Sequence, residues 1–200
     1  MFMKICSYIR VLRHFKLEDW NDKCRVMRRY DLTAQMYDMR YTEEQEAKYK
    51  AALDCVTIKD LVLDVACGTG LLFGHVAAKA KTLVGVDISK QLLLKAKPRA
   101  QNHPNVNLIQ ADADYLPFRN NLFSVVLAFT LLQNMPQPLE TLHEIQRAAK
   151  QGASVVVTGL KKAFMPELFR GLLEHSGLLV ISFMDEDVLK CYIAVTSKSR

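Results

Sequence analysis

From residue 61 to the end of the chain, short apolar runs of strand length alternate with stretches of helical periodicity, and this alternation narrows the choice of fold more than any other feature. The runs lie at Leu61–Val65, 82–86, Val106–Gln110, 123–129 and 154–158, and the helical stretches at 71–80, 90–100, 138–150 and 165–175. A strand that returns through a helix pairs parallel to its predecessor, and a sheet covered on both faces needs nearly continuous apolar strands. The spacing therefore predicts an α/β, doubly wound, mostly parallel sheet with helices on both faces. Two last runs, Leu178–Met184 and 191–196, have no helix between them and read as a closing antiparallel hairpin. Two hundred residues, half of them apolar, suffice for one well-buried domain and would cramp two.

The first strand runs into the stretch "LVLDVACGTGLLFGHVAAKA", which holds three of the chain's eight glycines. In a doubly wound sheet, ligands bind beyond the carboxyl ends of the strands where strand order reverses, and Gly68 and Gly70 let the backbone approach such a ligand closely. A dinucleotide fits poorly. Its fingerprint GxGxxG needs a third glycine where this chain has Phe73, and Asp64 would face a pyrophosphate at a cost of about a few kcal/mol. A ligand with a cationic end fits better, and S-adenosylmethionine carries both an ammonium and a sulfonium. Asp87 ends the second strand, where a carboxylate can accept both ribose hydroxyls, with Ile88 as an apolar wall for adenine. Asp112 ends the third, where it can accept the adenine amino group. An aspartate after a strand also caps helices; three of them after successive strands, one joined to CGTG, favour the cofactor.

The segments "VLDVACGTG", "VGVDIS", "ADADYLPF" and "FSVVLAFTLLQNMPQPLETLHEIQRAAKQGASVVV" resemble the successive motifs of class I S-adenosylmethionine-dependent methyltransferases. The resemblance covers about residues 30–196, and is strongest to the branch that includes quinone-biosynthesis and tRNA-wobble enzymes. It implies a Rossmann-like sheet of seven strands with the last antiparallel. It also implies that Asp64, Ala66, Gly68 and Gly70 line the methionine end of the cofactor. Asp87 and Ile88 would hold ribose and adenine, Asp112 and Ala113 the adenine edge. Phe129 and Thr130 would close the pocket, and Tyr37 would cover it. The turn "TLLQNMPQP" departs from the Asn/Asp-Pro-Pro-aromatic signature of amino-directed relatives, so Gln133 and Asn134 are candidates for substrate contact and the catalytic residues stay unassigned.

Residues 1–29 carry eight basic against three acidic groups, whereas the rest carries nineteen against eighteen. Ile5, Tyr8, Ile9, Leu12 and Phe15 recur at helical spacing, which predicts a basic amphipathic extension over 1–29 ahead of a catalytic domain over 30–200. Met27 begins the body-like sequence, so residues 1–26 can also reflect an upstream start. The basic front and a core with few additions favour RNA, above all tRNA, or a translation factor as substrate. By resemblance, a small zinc-binding activator subunit can complete such a site. The alternatives are a quinone-type small molecule or a domain that binds the cofactor without catalysis. Five scattered cysteines and five scattered histidines make neither a disulfide framework nor a metal site. No run approaches the length of a membrane span and no signal peptide is evident, so a cytoplasmic protein is expected.

Overall fold

In the computed structural model, the backbone is described for residues 2–199 and side chains for residues 17–199. Two helices precede the sheet. Helix α1 (Phe2–Thr33) leads through a 3-10 turn, Ala34–Met36, into α2 (Tyr37–Leu53). Position 29/30, expected to separate extension from domain, falls within α1. The apolar face expected at Ile5, Tyr8, Ile9, Leu12 and Phe15 lies outside the described side chains.

Seven strands follow: β1 (Leu61–Val65), β2 (Thr82–Asp87), β3 (Val106–Gln110), β4 (Phe123–Ala128), β5 (Ala149–Leu160), β6 (Leu178–Met184) and β7 (Cys191–Lys198). Their order in the sheet is β3-β2-β1-β4-β5-β7-β6. All pairings through β5 are parallel, and β7 runs antiparallel to both β5 and β6. This is the expected seven-stranded class I methyltransferase topology. Its strand order reverses between β1 and β4, where a crevice opens at the carboxyl ends.

Burial on both faces explains the apolar runs. Leu63 and Val65 of β1 pack with Phe123, Leu142, Ile145 and Phe169 on one side. Val62 packs with Phe73, Ala96, Leu127 and Ile193 on the other. The crossover helices are α3 (Phe73–Val76), α4 (Lys90–Gln101), α5 (Pro138–Ala148) and α6 (Pro166–His175). Ser89 caps α4, its Oγ accepting from the Leu92 amide at 3.1 Å.

Two elements differ from the expectation. The helix expected over 71–80 shrinks to the single turn of α3. Three-residue turns close on either side of it, Phe73 N to Gly70 O at 3.1 Å and Lys79 N to Val76 O at 3.0 Å. β5 begins at 149 rather than 154, because its polar start pairs with β4 and carries a left-handed Gly152 at φ +70°.

Gly70 has φ +76°, and a Cβ there would lie 2.3 Å from the Phe73 ring, which is fully buried. Replacing Gly70 by Ala is expected to cost about 2–4 kcal/mol from left-handed strain plus overpacking. Thermal unfolding would read this as a lower midpoint; an unchanged midpoint would show that the loop is not fixed by this contact.

Candidate functional site

The crevice between β1 and β4 holds two adjoining cavities. The larger, about 690 Å3, is lined by Ala66 and Gly68 from the β1 loop, and by Asp87 and Ile88 after β2. Asp112 and Ala113 after β3, Phe129 and Thr130 after β4, and Tyr37 from α2 complete the expected residues around it. The smaller, about 280 Å3, reaches Asp64, with Gln45, Tyr49 and Thr69 around it, and shares Tyr37, Ala66 and Phe129 with the first. Ten of the eleven expected residues therefore line these two adjoining cavities. Gly70 lines neither cavity and shapes the turn instead.

Backbone strain concentrates here. Ala66 and Thr130, at the ends of β1 and β4, both sit in the left-handed region, at φ +61° and +58°. That conformation is costly for a β-branched residue and is held only where the surroundings enforce it. Thr130 is pinned by three partners. Its amide donates to Thr158 Oγ1 at 2.8 Å, while Gln45 Nε2 and Lys48 Nζ donate to its Oγ1 at 3.2 and 3.1 Å.

The three aspartates differ in what they already do. Asp87 accepts from the Gly68 amide at 2.9 Å through Oδ2 and from the Ser89 amide at 2.8 Å through Oδ1. Burial pushes its carboxyl up to about 6, against the pull of those two amides. Asp64 is buried, and its Oδ2 finds no hydrogen-bond partner among the described residues. Burial first, then the nearby Asp87 charge, pushes its carboxyl up to about 8. A buried carboxylate with an unmet acceptor at the end of a cavity is a site for a cation. The residues present thus fit the ammonium end of S-adenosylmethionine.

Asp112 is engaged by a residue that sequence reasoning missed. Lys23 of α1 reaches its Oδ2 at 2.7 Å and Asp114 Oδ2 at 2.5 Å. Burial opposes the Lys23 charge, yet hydrogen bonds to the two carboxylates hold its ammonium above the ordinary range. Lys23 and Val26 make α1 a wall of the larger cavity. A lysine in a basic helix reads from sequence as a solvated face, so nothing flagged it. Lys48, fully buried and paired with Glu44 at 2.7 Å, was hidden in the same way within "EEQEAKYK".

A broader cleft of about 1150 Å3 opens beside these cavities, sharing Tyr30, Tyr37, Thr130 and Asn134 with the larger one. Asn134 Nδ2 donates to Thr130 O at 3.0 Å and to Tyr30 Oη at 3.3 Å, and its Oδ1 accepts from Arg29 at 2.9 Å. The Gln133 Oε1 atom is buried there without a partner among the described residues. Both residues singled out in "TLLQNMPQP" thus face this cleft.

The model of a methyltransferase domain family matches residues 63–157. A malonyl-[acyl-carrier protein] O-methyltransferase of Marinomonas sp. is 29% identical over 73% of this chain and 55% of its own length. A demethylmenaquinone methyltransferase of Bacillus licheniformis is 34% identical over 54% of this chain and 46% of its own. The chain thus spans about half the length of these curated relatives. Among solved structures, the [4+2]-cyclase SpnF superposes with a TM-score of 0.77 at 17% identity, over 87% of this chain and 95% of that one. A SAM-dependent methyltransferase from Aquifex aeolicus gives 0.67 at 17% identity, over 76% and 89%. A putative methyltransferase of Haloferax volcanii in complex with the Trm112 activator gives 0.71 at 16% identity, over 86% and 98%. At these identities the structures speak for the fold alone.

Proposed function

We propose that the protein is a class I, S-adenosylmethionine-dependent methyltransferase that transfers a methyl group to a small acceptor bound in the cleft beside the cofactor cavity, a reading supported by the methyltransferase-domain match over residues 63–157. The observation that carries this reading is the buried Asp64 carboxyl, whose Oδ2 has no partner among the described residues, at the end of a cavity adjoining the one that Asp87 and Asp112 line. Asp64 would hold the cofactor's ammonium, Asp87 its ribose hydroxyls and Asp112 the adenine amino group. Ile88 and Ala113 would flank the ring. When bound, the cofactor supplies a methyl group on a sulfonium, already activated for in-line displacement.

What remains for the chain is to align, desolvate and handle protons. No histidine lines the two cavities or the cleft, and their carboxylates are Asp64, Asp87, Asp112 and Glu44. Glu44 is tied to Lys48 and Lys190, which hold it below its ordinary range although burial works the other way. Burial raises the Tyr30 and Tyr37 hydroxyls, so both stay protonated at neutral pH. Among the described residues lining these spaces, none stands apart from the cofactor as a base.

A small acceptor agrees with the relative named for demethylmenaquinone, and the other relative's name sets a small malonyl group on a carrier protein. It also agrees with the front of the chain, where Lys23 is buried on Asp112 and Asp114 and Arg25 pairs with Asp22. The buried Lys23 charge is not free to follow a phosphate backbone, whereas the Arg25 pair is exposed. A second reading keeps an RNA or translation-factor substrate with an activator subunit, and rests on the neighbour bound to Trm112. No helix among the described residues is long and apolar enough to cross a membrane.

Incubating the protein with methyl-labelled S-adenosylmethionine and a size-fractionated extract of the source cell separates the readings. Label in the solvent-extractable small-molecule pool is expected. Label confined to RNA or protein would replace the small-acceptor reading with the second one.

A further inference from the structure

The cleft beside the cofactor cavity has a chemistry of its own. Arg40 and Lys162 line it, and neither has an acidic partner among the described residues; Arg40 Nη2 donates to the Met36 sulfur at 3.9 Å. Arg29 also lines it, bonded to the Asn134 amide oxygen and lying 5.1 Å from the Tyr30 ring centroid. The one carboxylate in the lining, Glu44, is neutralised by Lys48 and Lys190. The cleft therefore presents uncompensated positive charge.

Three rings stand in series beside that charge. The Tyr30 and Tyr37 centroids are 6.1 Å apart and those of Tyr37 and Tyr41 4.9 Å, all mutually tilted. Tyr30 and Tyr37 also wall the cofactor cavity, so a ring held on this row lies next to the place of methyl transfer. Two buried amide oxygens, Gln45 Oε1 and Gln133 Oε1, lack donors among the described residues, and both residues line the cleft. They await N–H or O–H groups.

Resting on the methyltransferase reading above, we propose that the acceptor is a small planar aromatic anion. Its ring lies along the tyrosine row, its carboxylate or phosphate is held by Arg40 and Lys162, and a donor substituent meets the glutamine oxygens. Guanidinium and ammonium groups favour the deprotonated form of an acid beside them, so the carboxylate or phosphate stays ionised in the cleft.

Three fluorescent probes test this on the full chain saturated with S-adenosylmethionine: 1-naphthoate, 1-naphthyl phosphate and neutral 1-naphthamide, followed by anisotropy. At least one anion is expected to bind about tenfold or more tightly than the amide, equivalent to about 1.4 kcal/mol. Which anion binds more tightly identifies carboxylate or phosphate as the handle. Arg40→Gln and Lys162→Gln should each weaken the anion several-fold and leave the amide unchanged. Cofactor affinity in both variants should stay within about twofold, since neither residue lines the cofactor cavities. Equal binding of anions and amide, no binding of any probe, or anion binding insensitive to both substitutions would overturn the proposal. So would an oligouridylate binding far more tightly than the phosphate probe, because the cleft would then belong to nucleic acid. Absence of cofactor binding in the wild-type chain would instead strike the methyltransferase reading itself.

Discussion

Replacing Asp64 by Asn is expected to stabilise the cofactor-free protein at alkaline pH while weakening S-adenosylmethionine binding about 10- to 100-fold. The two effects share one cause. Asp64 is buried at the end of β1, with Oδ2 unmet, and its carboxyl is pushed up to about 8 by burial and by Asp87. The folded state therefore keeps a proton that the unfolded chain has lost. Linkage then requires stability to fall as pH rises from the ordinary carboxyl range through about 8. Asp87, raised to about 6, contributes in the same direction over the lower part of that window. The unfolding midpoint of the cofactor-free protein should drop between pH 5 and pH 9, and Asp64→Asn should flatten most of that slope above pH 6. The gain at pH 9 should be about 1–3 kcal/mol, the cost of a buried charged group left unsatisfied. Binding runs the other way, because a charge-assisted hydrogen bond of about 1.5–3 kcal/mol is lost with the carboxylate. At pH 7 the wild-type protein should release protons as it binds the cofactor, which calorimetry in buffers of different ionisation enthalpy detects. A variant that is destabilised at every pH, or that binds as the wild type does, would show that Asp64 is an ordinary core residue.

The largest loss of stability is expected from Lys23→Met. The Lys23 ammonium sits between Asp112 and Asp114, with all three side chains largely removed from water. Removing one partner from a buried ion cluster typically costs about 3–5 kcal/mol, because the remaining charges are left uncompensated. At this chain length, that lowers the midpoint by roughly 10 °C. The double variant Lys23→Met/Asp114→Asn should recover part of the loss, which distinguishes uncompensated charge from lost packing. A change below about 0.5 kcal/mol would place Lys23 in solvent, as an ordinary surface residue, and detach α1 from the cavity wall.

What could be read from the sequence follows the physics of each signal. The strands were legible because a doubly covered parallel sheet demands nearly unbroken apolar runs, as in β1 and β4. The hairpin was legible because no helix intervenes between β6 and β7. That Asp64, Asp87 and Asp112 lie at the crevice could be read from their places at or just beyond the ends of successive strands. Lys23 could not, because its pairing with Asp112 and Asp114 across distant segments leaves no trace in a local pattern; the Glu44–Lys48 pair is local, at i,i+4, but the burial of Lys48 is not written in that spacing. The cleft was hidden for the same reason. Arg29 and Arg40 lie near the 3-10 turn, Gln133 and Asn134 in the turn after β4, and Lys162 just after β5; only the fold unites them. Gly70 shapes the turn because the Phe73 ring fills the space that a Cβ there would take.

The most direct measurement is a calorimetric titration of the full chain with S-adenosylmethionine and with 5′-methylthioadenosine, which keeps the adenosine but lacks the ammonium-bearing end. If the cavity holds the cofactor with that end at Asp64, S-adenosylmethionine binds one per chain, more tightly than methylthioadenosine by about tenfold or more, and Asp64→Asn narrows the gap. Equal affinity for the two compounds, or no binding of S-adenosylmethionine, would contradict it.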